Sequence, residues 1–110
     1  MTTYISNSFS LGMIPSGGLL SVVPITKDDF CSAITDGKSI IGHPATAQVL
    51  TTMCGKEVKV NRQAVTLQKG DIVVVAQVLT RLDEGKVLSA EEVKQLVEQG
   101  KLTFMKVTLL

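Results

Sequence analysis

A chain of 110 residues, 45% of them hydrophobic, is the size of one domain, 1–110, and can bury roughly two-thirds of the surface that its unfolded form exposes. Its charges nearly cancel, 11 basic against 10 acidic for a net +1, which excludes a general duplex-DNA binder but leaves room for a compact polyanion held by a few well-placed cations. The longest apolar stretch, Ile72 to Ala76, is far too short to cross a bilayer, and the N-terminus has no basic and apolar leader. No membrane partner is expected, and the expected setting is the cytoplasm.

In chain order, Tyr4 to Ser6 reads as the first strand, ending in a polar elbow at Asn7-Ser8-Phe9-Ser10. Gly17-Gly18 marks a turn, and Leu19 to Val23 is a β-branched strand closed by Pro24. Thr26 is a helix N-cap, with Asp28 and Asp29 in a favourable first turn of a helix reaching about Thr35. After Asp36-Gly37 come Ile40-Ile41 and then Gly42-His43-Pro44. Proline suits the first position of a helix, where its missing N–H would have no partner. The spacing therefore predicts a helix from Pro44 to Cys54, stopped by Gly55.

Alternation from Glu57 to Leu67 predicts a short hairpin turning near Asn61-Arg62. After the turn at Lys69-Gly70-Asp71, Ile72 to Leu79 is the strongest strand, nearly continuously apolar and so central in its sheet. Ser89 and Glu92 form a capping box that opens a helix to Gln99, with Val93, Leu96 and Val97 on its buried face. Lys101 to Leu110 is the last strand. The fold class is α/β (α+β): one domain, a roughly five-stranded mixed sheet flanked by about three helices. Cys31 and Cys54 lack CxxC spacing and make neither a disulfide framework nor a zinc site. Both fall on apolar helix faces, and buried, inert thiols are expected.

His43 is the only histidine, and it sits beside a helix N-terminus, whose unpaired N–H groups suit a phosphate. The same spacing also suits a histidine that merely caps its helix. Further polar clusters are Asn7 and Ser10, then Asn61 and Arg62, then Gln77, Arg81 and Glu84. Gln77 interrupts an apolar run, where an amide must be hydrogen-bonded or lie at an edge. A solvated turn accounts equally well for the charged hexapeptide Arg81 to Lys86. One histidine without an acidic cluster is a poor metal site, and no P-loop, GxGxxG or nucleophile elbow is present, so neither metal nor cofactor is expected. What remains is one possible acid or base, a carboxylate, two arginines and amide donors. That set suits a substrate carrying its own nucleophile, as RNA-like phosphodiesters do.

Asn7-Ser8-Phe9-Ser10, Ile41-Gly42-His43, Met53-Cys54-Gly55, Asn61-Arg62 and Arg81-Leu82-Asp83-Glu84-Gly85-Lys86 together resemble, in order and spacing, the anti-CRISPR ring nucleases of archaeal viruses and their relatives on bacterial phages and mobile elements. The likeness runs from Tyr4 to Leu110. It implies a homodimer that binds cyclic tetra-adenylate, the second messenger of type III CRISPR defence, and cleaves it without metal. It also implies His43 as general acid, with Glu84 and Arg81 as its companions, and Asn7, Ser10, Arg62 and Gln77 as ligand contacts. The chain departs from the viral pattern at Pro44-Ala45, which replaces an Asp-Ser pair. A competing expectation is a non-catalytic dimeric module that sequesters a cyclic nucleotide or binds RNA or a protein.

Overall fold

The computed structural model describes residues 1–82 and 87–110. Five strands form one mixed sheet: β1 (Thr3–Ser6), β2 (Leu20–Pro24), β3 (Lys38–Ser39), β4 (Ile72–Val78) and β5 (Leu102–Leu109), in the spatial order β2-β5-β4-β1-β3. β1 is parallel to both β3 and β4, whereas β5 runs antiparallel to β4 and β2. Three α-helices intervene: α1 (Lys27–Ala33), α2 (Pro44–Cys54) and α3 (Ala90–Glu98). A 3₁₀ turn covers Leu11–Met13.

The apolar run of β4 reflects a sheet covered on both sides. Val74 and Ala76 face a cluster with Phe30 of α1, Leu50 of α2 and Val93 of α3, where the Phe30 and Phe104 rings lie 5.3 Å apart. Val73 and Val75 face a second cluster with Val107, Leu109, Ile14 and Leu67. A strand buried on both faces gains nothing from alternating its side chains, so it reads as continuous valine and isoleucine.

Helix ends follow local chemistry. Thr26 with Asp29, and Ser89 with Glu92, close reciprocal capping boxes. Gly55 ends α2 at φ 68°, the left-handed conformation that glycine adopts without strain.

Two expectations are corrected. Residues 56–68 form no hairpin. Val58 is buried in the helix-side cluster and Leu67 in the opposite one, so this segment passes from one face of the sheet to the other. Its apolar residues anchor separate cores, leaving them no partner strand. The fifth strand is instead β3, which pairs with β1 at Tyr4–Lys38 and Ile5–Ser39. Cys31 and Cys54, expected as inert thiols, are joined in a disulfide, with Cα atoms 5.3 Å apart across 23 residues of sequence. Both helices feed one core, and that tertiary packing brings together two cysteines without a local spacing signal.

Candidate functional site

The three parallel strands β3, β1 and β4 send their carboxyl ends to one edge of the molecule. Asn7 follows β1, His43 lies four residues past β3, and Thr80 and Arg81 follow β4. In sheets with parallel strands, this end is where loops converge on ligands. A concavity of about 480 Å³ lies there, lined by Asn7, His43, Thr46, Val78, Thr80, Arg81 and Leu82. A second, of about 300 Å³, shares Asn7 and His43 with it and adds Arg62, Gln63, Ser6, Ser8, Met13, Ile40 and Gly42.

His43 is the N-cap of α2. Its Nδ1 accepts the backbone N–H of Thr46 at 3.2 Å and lies 3.0 Å from the Thr46 hydroxyl oxygen. Pro44 occupies the first helical position and offers no N–H to compete for the cap. With Nδ1 engaged by the helix, Nε2 is the nitrogen left for a ligand.

Arg62 reaches the site by a different route. Asn61 donates its backbone N–H to the Ile41 carbonyl at 2.9 Å and its side-chain amide to the Ser39 carbonyl at 3.0 Å, which ties the segment against the chain leaving β3. Arg62 then lies over Gly42. A Cβ there would stand 2.8 Å from Arg62 Cγ and 2.9 Å from Cδ, so any larger residue would have to displace the Arg62 side chain.

The chain has two arginines and one histidine in total, and all three line these adjoining concavities. Hydroxyls of Thr46, Thr80, Ser6 and Ser8 and the amides of Asn7 and Gln63 supply the other polar groups of the described lining, which holds no acidic side chain. Guanidinium groups, hydroxyls and amides around an imidazole form a donor-rich surface suited to phosphate esters. Among the described residues, no group of three or more His, Cys, Asp or Glu could hold a metal ion.

Of the residues singled out in the sequence, Asn7, His43, Arg62 and Arg81 come together. Ser10 does not line either concavity: it is exposed, and its Oγ accepts the Gly12 N–H at 3.2 Å as the cap of the 3₁₀ turn. Gln77 is exposed on β4 and, adjacent to Val78, points to the opposite sheet face. Glu84 lies outside the described residues. Thr46 and Thr80 were missed. For Thr46 a signal existed, because it stands three residues after a histidine N-cap, where the capped N–H belongs.

These features define a small α+β protein with a polar, arginine-lined site at the carboxyl ends of its parallel strands. Residues 3–103 match the family described as STIV B116-like, and the chain belongs to that family. It is 37% identical over 105 residues to the uncharacterized protein ORF116 of Acidianus filamentous virus 1, covering 93% of this chain and 90% of that one. It is also 41% identical over 59 residues, about half of each chain, to the uncharacterized protein 26 of Sulfolobus islandicus filamentous virus. In three dimensions it resembles B116 of Sulfolobus turreted icosahedral virus, with a TM-score of 0.90 and 30% identity over 98% of this chain and 99% of that one. The relatives are viral proteins, and the fold of this chain matches that of B116. No helix among the described residues is long and apolar enough to cross a membrane.

Proposed function

We propose that this protein is a metal-independent ring nuclease that binds cyclic tetra-adenylate across a homodimer and switches off type III CRISPR signalling in the host cytoplasm. One observation carries the reading: the only histidine and both arginines of the chain meet at one pair of concavities, with no described carboxylate lining them. Two guanidinium groups beside an imidazole suit a phosphate ligand. A cavity of about 480 Å³ is of drug size, whereas a ring of four nucleotides needs more room, which two copies related by a two-fold axis supply.

Cleavage needs no nucleophile from the protein. The 2′-oxygen of the ligand bonds to the adjacent phosphorus, and its proton passes to solvent. The P–O5′ bond breaks, its electron pair stays on O5′, and His43 gives that oxygen a proton. Arg81 and Arg62 stabilise the charge on the phosphoryl oxygens.

A second reading also has an observation behind it. His43 already has a structural task as the α2 cap, which favours a module that sequesters a cyclic nucleotide, or binds RNA or a protein, without cleaving. Incubation with excess cyclic tetra-adenylate in EDTA, resolved by chromatography, separates the two. The expected product is linear di-adenylate with a 2′,3′-cyclic phosphate and a 5′-hydroxyl. Binding without turnover would favour the module.

A further inference from the structure

The cap of His43 has a chemical consequence for the ring nuclease reading, on which this inference rests. A backbone N–H only donates, so a neutral ring in this pose accepts at Nδ1 and carries its proton on Nε2. A ring that acts as an acid must at some point hold a proton on Nδ1 as well. That proton would then face the Thr46 N–H, which cannot turn away. The Thr46 hydroxyl can. Its oxygen lies 3.0 Å from Nδ1, which is its only hydrogen-bond partner among the described residues, and Thr46 is buried at 4% exposure.

We propose that the Thr46 hydroxyl is a positioning group that follows Nδ1 through its change of protonation, donating to the bare nitrogen and accepting from the protonated one. Nε2 thereby stays turned into the concavity in both charge states. When Nε2 gives its proton to the leaving oxygen, the remaining proton sits on Nδ1 and is held by Oγ1. Arg62 and Arg81, the charged side chains among the described lining residues, are donors only and cannot accept that proton. Without the hydroxyl, a ring protonated at Nδ1 must swing out of its cap.

The test begins on the free protein, where a single histidine gives unambiguous imidazole signals in ¹H–¹⁵N correlation spectra. The neutral ring is expected as the Nε2–H tautomer. On acidification, nuclear Overhauser contacts between the ring and the Thr46 amide should persist in the wild type and in Thr46→Ser. In the near-isosteric Thr46→Val they should vanish as the ring becomes charged. Single-turnover cleavage of cyclic tetra-adenylate should fall roughly tenfold in Thr46→Val, the worth of one hydrogen bond, and recover in Thr46→Ser. A neutral Nδ1–H tautomer in the wild type, or a charged ring that keeps its contacts in Thr46→Val, overturns the proposal. If Thr46→Val does not fold, Thr46→Ala, which also lacks the hydroxyl and keeps the Thr46 N–H, carries the same comparison. Should the spectra behave as expected while no variant cleaves the ring, the nuclease reading fails and the positioning role stands.

Discussion

At the scale of single residues, His43 holds two tasks that a mutation can separate. His43→Ala removes an N-cap, which costs about 0.5–2 kcal/mol of stability, and it removes the proposed acid, which is worth about 10²–10⁴ in rate. The expected outcome is a folded but slightly less stable protein whose cleavage of cyclic tetra-adenylate falls by that factor while affinity stays within a few-fold. Melting curves and single-turnover assays on one preparation check both halves, and near-normal turnover would remove His43 from the chemistry. Arg81→Ala should behave differently. A guanidinium beside a phosphate acts on the bound ring and on the transition state alike, so both affinity and rate should fall. A change in melting temperature alone would make Arg81 structural.

Between elements, two ties hold the frame on which the site is built. The Cys31–Cys54 disulfide joins the last turn of α1 to the end of α2, the helix that His43 caps. A loop of 23 residues closed in the unfolded chain is worth about 3 kcal/mol on the entropic estimate. Cys54→Ala, or reduction of the wild type, should therefore lower stability by about that much in a denaturant titration and leave the chemistry of the folded protein intact. The second tie is Asp71, buried just before β4, which accepts the backbone N–H groups of Gln68 and Thr2, each at 2.8 Å. The Gln68 N–H holds its carboxyl below the usual carboxylate range against the opposing effect of burial, with Thr2 and the N-terminal ammonium adding to the lowering. A depressed carboxylate stabilises fully above its unfolded pKa of about 3.9 and loses that contribution as pH falls through the folded value. Asp71→Asn should cost about 1–3 kcal/mol at neutral pH, and the gap to wild type should close in acid, as urea unfolding at several pH values would show. Neither tie was legible in the sequence. Caps, turns and the central strand were, because Thr26, Ser89, Gly55 and the valines of β4 act within a few residues of themselves. The disulfide, the crossing segment 56–68 and the pairing of β3 depend on partners brought near only by packing, and no local spacing encodes them.

For the whole molecule, symmetry and the source of the nucleophile belong together. One chain supplies one histidine, while a cyclic tetranucleotide with two-fold symmetry offers equivalent phosphodiesters on opposite sides. A two-fold dimer would present one imidazole and two arginines to each half of the ring, so a protein of net charge +1 can hold four phosphates without a basic surface. Calorimetric titration should give one ring per two chains; one ring per chain would refute the shared site. On the proposed mechanism the protein contributes alignment, charge stabilisation and a proton, so the attacking oxygen would be the ligand's own 2′-hydroxyl. A ring with 2′-deoxy sugars at the scissile positions keeps its phosphates and bases and should still bind, weakened by about 0.5–1.5 kcal/mol for each hydroxyl removed, a factor of roughly 2–13 apiece. Its cleavage should cease altogether, because no neighbouring oxygen remains to reach phosphorus. If the deoxy ring were hydrolysed at a comparable rate, water would be the nucleophile. His43 would then have to take a proton before it gave one, and its Nε2 would have to face the concavity bare.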